Sequence, residues 1–296
     1  MPRLNPVRLL TIAGNTHQAG HLHNISRLLE LLRRRGIRLA VERRFATYLQ
    51  SQSVTLSPHE ICDLPPAEAD AAISIGGDGT FLRTARWIGR LGTPVLGINT
   101  GHLGFLASYN PAEAESLTEM LYAGDADVEP RMALRVDVDP AEAHLLPPLP
   151  YALNEVAILK EETASMINVH VSLASNFLAD YLADGLLIST PTGSTGYNLS
   201  VGGPIIFPDL EVVCISPIAP HTLTARPVVA SASDLITAVT TSRSSHYRVS
   251  LDGVSFVMPQ GTSLTISRAD FAPRIIRRRD DSFAATLRQK LLWGMR

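Results

Sequence analysis

Cysteine is nearly absent: Cys62 and Cys214 are the two in 296 residues, and they do not form a Cys-x-x-Cys pair. That argues against a disulfide framework and against a zinc site, and leaves both thiols as buried or incidental side chains. An excess of charge of one sign is missing too, since the formal net charge is −2. Such balance gives no general attraction to nucleic acid or to an anionic membrane, so any anion binding has to be local. No apolar run reaches the roughly 18 residues of a membrane span, and no charged segment followed by an apolar one opens the chain; a cytoplasmic protein is the expectation. Internal repeats are lacking as well. What is there, 45% hydrophobic residues over this length, is enough for a sizeable core and for two domains.

The first third alternates strand-like and helix-like segments. Val7–Ile12 is a short apolar run, and Leu22, Ile25, Leu28, Leu29 and Leu32 form a helical stripe that stops at Arg33-Arg34-Arg35-Gly36. Residues 37–41, 71–75 and 94–98 are further strand candidates. Asn110-Pro-Ala-Glu113 combines a cap residue, a first-turn proline and a glutamate at the third position, which predicts a helix to about Ala123. This βα alternation favours a mostly parallel sheet with helices on its faces. After about residue 128 the pattern changes. Ile167, Val169, Val171 and Leu173 alternate with polar residues at period two, and comparable runs fall at 131–138, 152–159, 186–190, 212–216, 235–240, 247–251 and 263–267. Many short strands with few helical intervals predict a mainly antiparallel β domain, with 140–150 as a proline-rich loop inside it. Phe283, Leu287, Leu291 and Leu292 lie at helical spacing near the end of the chain. The triplets 33–35 and 277–279 read as solvated basic faces, with Glu42, Asp280 and Asp281 as compensating acids.

Residues 73–80, Ile-Ser-Ile-Gly-Gly-Asp-Gly-Thr, carry the chemistry. Glycines at 76, 77 and 79 permit positive φ and let a phosphate approach the main chain, while a helix starting near Thr80 would aim its free N–H groups and positive dipole end at the same spot. Asp78 is the odd residue there. A carboxylate in a phosphate-friendly turn repels the ligand unless it binds a metal, accepts a hydroxyl proton or caps the helix. Asn154 and Glu155, side by side at a strand end, offer donors and acceptors for ribose hydroxyls and an adenine edge. The segment 190–198, Thr-Pro-Thr-Gly-Ser-Thr-Gly-Tyr-Asn, is rich in hydroxyls and uncharged, so it can follow a ligand's polar outline. His102 and His221 have no nucleophile paired with them and read as structural. Asp252-Gly253 reads as a hairpin turn rather than as catalytic.

The Gly-Gly-Asp-Gly-Thr fragment resembles NAD kinases, diacylglycerol-type lipid kinases and, with serine for threonine, phosphofructokinases. The longer segment 184–204 decides among them, because it closely resembles the long signature of NAD kinases. Ala152–Val156, Gly101-His-Leu-Gly-Phe105 and Pro220–Pro227 resemble that family in the expected order. The resemblance implies a Rossmann-like α/β domain over 1–127, a mainly antiparallel β domain over 128–267 and a tail, 268–296, whose helix returns to the first domain. It also implies transfer of the γ-phosphoryl of ATP, with polyphosphate as an alternative donor, to the adenosine 2′-hydroxyl of NAD, aided by Mg²⁺ or another divalent ion. Asp78 would accept or orient that hydroxyl proton, and Gly76, Gly77, Gly79 and Thr80 would hold donor phosphates. Phe105, Asn154, Glu155, Thr195, Gly196, Tyr197 and Ser200, with Asp78 and Gly79, would line the NAD site. Asp184 would contact nucleotide from a neighbouring subunit, which implies a homo-oligomer, dimer or tetramer. No dedicated metal ligand set is implied beyond the phosphates and Asp78. Alanine is the commoner residue where this chain has Gly196, which puts binding strength rather than reaction type at issue. The rivals are a lipid kinase of the same superfamily, disfavoured by the polar loop 190–198, and a non-catalytic NAD(P) sensor, disfavoured by the presence of Asp78, Asn154 and Glu155. A Rossmann oxidoreductase is disfavoured by the missing G-x-G-x-x-G spacing.

Overall fold

The computed structural model describes residues 1–292 apart from 18, 102–103 and 162–164. Backbone contacts divide the chain into two units, Met1–Pro130 together with the chain from Pro273, and Arg131–Ala272.

The first unit starts with β1 (Leu9–Gly14), α1 (Leu22–Arg34), β2 (Arg38–Glu42), α2 (Arg43–Ser51), β3 (Ile61–Cys62), β4 (Ala71–Ile75) and α3 (Asp78–Ile88). It continues through β5 (Val95–Ile98), β6 (Ala107–Tyr109), α4 (Ala114–Ala123) and β7 (Asp127–Pro130). Every residue of β1, β4 and β5 is buried, as expected of central parallel strands covered on both faces. Their near-continuous apolar runs are therefore legible without alternation. On α1, Ile25, Leu28, Leu29 and Leu32 form the buried stripe, and Gly36 follows the helix at a φ of 75°. The capping box at Asn110 forms as predicted: its side chain accepts from Ala112 N at 2.9 Å, and Glu113 Oε2 accepts from Asn110 N at 2.9 Å.

The second unit is built from β8 (Leu134–Asp137), β9 (Tyr151–Ala152), β10 (Glu155–Leu159), β11 (Ile167–Leu173), β12 (Asn176–Ala183) and β13 (Gly185–Ser189). A short helix, α5 (Tyr197–Ser200), precedes β14 (Val212–Ile218), β15 (Val228–Ser231), β16 (Ile236–Thr241), β17 (His246–Leu251), β18 (Val254–Pro259) and β19 (Ser263–Arg268). Two antiparallel sheets, ordered β15-β14-β13-β10-β17-β18 and β12-β11-β16-β19-β8-β9, contribute to one apolar core. Val169 and Val171 enter it from one sheet, Ile158 and Val249 from the other. Strands β12 and β15 escape the sequence reading because both are edge strands that expose much of their length, so neither shows a full apolar period. The proline-rich stretch is not wholly loop: Pro140–Leu145 makes a 3₁₀ helix, with Asp139 accepting from Ala141 N.

The chain then returns to the first unit as β20 (Arg274–Arg277) and α6 (Phe283–Leu291). The first sheet runs β3-β2-β1-β4-β5-β20-β7, with β6 beside β5; β20 is parallel to β5 and antiparallel to β7. The basic triplets are not simply solvated, and their partners differ from those expected. Arg33 grips the buried Glu60 at 2.8 Å, Arg34 pairs with Glu30 and Arg35 with Glu119, while Glu42 serves Arg83. Arg277, itself buried, meets Glu129, Arg278 pairs with Glu113, and Arg279 with Asp125. Among the described residues no helix is long and apolar enough to cross a membrane.

Candidate functional site

In the first unit the glycine turn joins β4 to α3. The helix starts at Asp78, two residues before the expected Thr80, with Gly77 as its N-cap. Of the three turn glycines only Gly76 has positive φ, 152°, and a Cβ there would collide with the Thr80 side chain. Gly77 and Gly79 have open space where a Cβ would sit, so their value lies in leaving the main chain approachable rather than in unusual φ. Thr80 N and Phe81 N both donate to Gly77 O, which leaves the N–H groups of Asp78 and Gly79 at the free end of the helix.

Asp78 does not cap its own helix. Its Oδ1 accepts from Leu106 N and Ala107 N, both at 3.0 Å, and its Oδ2 from Phe105 N at 2.8 Å. Gly104 is required by this docking, because a Cβ on it would overlap Asp78 Oδ1. The second glycine of Gly101–Phe105 thus serves the aspartate of the turn, a link that no local pattern in the sequence reveals. His102 lies outside the described residues. The Phe105 ring is buried and tilted against Phe283 at 6.3 Å, so the residue fixes Asp78 through its N–H and the tail through its ring.

In the second unit Asn154 and Glu155 lead into β10 and are gripped from two sides. The Asp252 carboxylate accepts from Leu153 N at 2.6 Å, Asn154 N at 2.8 Å and Glu155 N at 3.1 Å. On the other side Thr190 N donates to Asn154 O at 2.9 Å and Thr190 Oγ1 to Leu153 O at 2.6 Å. With the backbone held, the side chains keep unused capacity: Asn154 Oδ1 and Glu155 Oε2 are both buried with no hydrogen-bond partner among the described residues. Buried acceptors of that kind mark a place prepared for a donor from elsewhere. Burial, and secondarily the Asp252 charge, push the Glu155 carboxyl up to about 7. Asp252 does sit in a tight hairpin turn, at a φ of 49° with Gly253 at 84°, yet its carboxylate has a further positioning role that the turn signature alone hides.

The loop 190–198 packs on the same pair. A Cβ at Gly193 would overlap Asn154 O, and one at Gly196 would come within 3.3 Å of Asn154 Nδ2 and 3.5 Å of Glu155 Oε2. Gly196 therefore adjoins both side chains, and its missing methyl leaves room there. The loop is tightly folded rather than flexible, a 3₁₀ turn Thr192–Thr195 followed by α5. Most of its polar side chains, those of Thr190, Thr192, Ser194 and Asn198, face inward. Ser194 Oγ exchanges hydrogen bonds with Ile206, Asn198 Oδ1 accepts from Ser216 Oγ at 2.7 Å, and Asn198 Nδ2 donates to Pro204 O at 3.1 Å. Those groups hold the loop's shape, while Tyr197 and Ser200 are exposed and Thr195 and Gly196 are half-exposed. Asp184 is engaged within the chain by Lys160 at 2.6 Å. His221 is exposed, and its N–H donates to Leu182 O. Among the described residues no three His, Cys, Asp or Glu side chains gather as a metal cage.

Residues 10–126 match the model of the ATP-NAD kinase N-terminal domain, and residues 153–278 that of the ATP-NAD kinase C-terminal domain. The chain belongs to the ATP-NAD kinase family. It is thus a phosphotransferase that acts on a hydroxyl group. The NAD kinase of Bacteroides fragilis is 44% identical over 284 residues, covering 96% of this chain and 97% of that one. That of Porphyromonas gingivalis is 43% identical over 291 residues, covering 97% and 99%. Among solved structures, an NAD kinase from Archaeoglobus fulgidus in complex with ATP superposes with a TM-score of 0.71 at 26% identity, covering 96% of this chain and 98% of that one. Yeast NADH kinase complexed with NADH shares the fold at a TM-score of 0.83 and 21% identity, covering 99% and 89%.

Proposed function

We propose that the chain transfers the γ-phosphoryl group of ATP to the 2′-hydroxyl of the adenosine ribose of NAD, giving NADP. The observation that carries this reading is the Asp78 carboxylate, fixed by three backbone N–H groups beside the free N-terminal end of α3 in a chain of this family. A ribose hydroxyl is a weak nucleophile at neutral pH, so alignment and charge stabilisation carry most of the rate. Asp78 Oδ2 accepts one N–H and keeps a lone pair for the hydroxyl, which makes Asp78 the group that orients the nucleophile and takes its proton. Gly76, Gly77, Gly79 and Thr80 form the turn that receives the donor phosphates, with the Asp78 and Gly79 N–H groups pointing to them, since Gly76 N and Thr80 N already donate to Ile98 O and Gly77 O.

Asn154 and Glu155 hold the dinucleotide, their unpartnered oxygens accepting from ribose hydroxyls or the adenine amine. Thr195, Gly196, Tyr197 and Ser200 present the outward side of the polar loop to the same ligand. Magnesium or another divalent ion would come with the donor phosphates, and its chemistry there would be neutralisation of their charge. A second copy of the chain brings Asp184 to a neighbouring nucleotide, in a homo-oligomer working in the cytoplasm. The polar character of loop 190–198 and the family match favour a nucleotide over a lipid acceptor.

Incubation with ATP, Mg²⁺ and NAD, coupled to an NADP-specific dehydrogenase, is expected to yield NADP, with diacylglycerol inert as acceptor. In the same assay Asp78→Asn is expected to lower kcat at least about a hundredfold while NAD still binds. Near-normal turnover of that variant removes Asp78 from the mechanism.

A further inference from the structure

Helix α6 carries a lysine to the glycine turn. The lead-in is fastened by the ion pairs of Arg277, Arg278 and Arg279 to Glu129, Glu113 and Asp125, and Arg278 also lies over the Tyr109 ring at 4.9 Å. Ser282 then caps α6 by accepting from Ala285 N, Leu287 is buried, and Phe283 meets Phe105. So anchored, the helix sets Lys290 Nζ 4.4 Å from the centroid of the Phe105 ring and 3.9 Å from Asp78 Oδ2.

The second of these distances is an ion pair and not a hydrogen bond. The Lys290 side chain is only 27% exposed, yet its ammonium donates no hydrogen bond among the described residues. Its three N–H donors are therefore available to an acceptor that arrives at the turn. Asp78 does not supply it, since its Oδ2 lies 3.9 Å away, beyond hydrogen-bond reach, and its spare lone pair is the one that faces the acceptor hydroxyl. The nearby Arg83 of α3 is committed, to Glu42 at 2.5 Å and to Gly14 O at 2.8 Å. The turn itself contributes main-chain dipoles but no cationic side chain, although the donor brings several negative charges to it.

We propose that Lys290 is a donor-binding catalytic residue: its ammonium takes a phosphate oxygen of the phosphoryl donor at the Gly76–Thr80 turn and stays there as charge shifts during transfer. This rests on the kinase reading above. Stacking on Phe105 keeps the lysine aimed at the turn before the donor arrives, and the long contact with Asp78 is relinquished for a stronger, charge-assisted bond to phosphate.

Steady-state kinetics on the full chain test the assignment, with wild type assayed first so that absence of NAD phosphorylation counts against the kinase reading and not against Lys290. Lys290→Met is expected to raise KM for ATP about tenfold or more, to leave KM for NAD within about twofold, and to weaken competitive inhibition by inorganic tripolyphosphate in parallel; Lys290→Arg is expected to restore most of the loss. A circular-dichroism melt matching wild type excludes misfolding. Four results overturn the proposal: an unchanged donor KM, a rise confined to the NAD KM, a shifted pH profile with intact donor binding, which is what mere neutralisation of Asp78 gives, or faster turnover, which would make Lys290 a plug.

Discussion

Burial raises the Glu155 carboxyl from the ordinary 4.5 to about 7, and the neighbouring Asp252 charge adds to the shift. Below about pH 4.5 the group is protonated both folded and unfolded, so it contributes nothing to stability. As pH rises toward 7 the unfolded chain ionises while the folded one keeps the proton, so stability falls; above 7 the penalty is complete, of order 3 kcal/mol. A ribose hydroxyl donated to Oε2, which has no partner among the described residues, would favour the ionised form and oppose that shift. NAD affinity is therefore expected to strengthen as pH rises through about 7, in the direction opposite to stability. Calorimetric titration between about pH 6 and pH 8 reads it, and Glu155→Gln should flatten both the affinity profile and the stability profile. A wild-type affinity independent of pH over that range would separate Glu155 from the ligand.

At the scale of elements, the turn between β17 and β18 governs the entry to β10. Asp252 is the acceptor for three consecutive N–H groups of the Leu153–Glu155 segment, so Asp252→Asn, which tolerates the positive φ but loses the charge, leaves those donors poorly satisfied. It is expected to cost about 2 kcal/mol of stability and to weaken NAD binding by about tenfold or more, with ATP binding little changed; thermal melts and paired titrations measure both, and intact NAD affinity would mean that Asn154 and Glu155 need no such support. Much of the architecture at this scale was legible in advance. The stripe of α1, the Asn110 capping box and the fully buried β4 all follow from local spacing. The glycine turn was legible as a strand-to-helix junction, with the helix start read two residues late. Edge strands β12 and β15 were not legible, because solvent on one side removes the pattern that reveals a strand. Nor were the contacts that aim the site residues: Asp252 reaches across 97 to 99 positions, and Asp78 across 27 to 29. Such links depend on tertiary closure, so only the chemistry of the partners, not their pairing, is written locally. The inward hydroxyls of loop 190–198 teach the same point, since Ser194 and Thr195 look alike in the sequence and face opposite tasks in the fold.

For the molecule as a whole, the consequence of the topology is that the first unit cannot be completed until the end of the chain arrives. Strand β20 lies between β5 and β7, and Ile275 and Ile276 bury their side chains almost fully. Deleting the chain from Pro273 onward would remove the two isoleucines, worth roughly 1.5–3 kcal/mol each, strip β7 of its ladder and leave Glu129 without Arg277. A second truncation, after Asp281, keeps β20 and loses only α6. Hydrogen exchange is expected to separate them: the longer deletion lowers protection in β4, β5 and β7 while β13 and β17 keep theirs, and the shorter one leaves the sheet protected. Activity divides the same two variants differently, since the shorter deletion already removes Lys290 and so weakens donor binding on an intact sheet. If both truncations retained full protection in β5 and β7, the closing strand would be dispensable, and the first unit would be a domain complete without its tail.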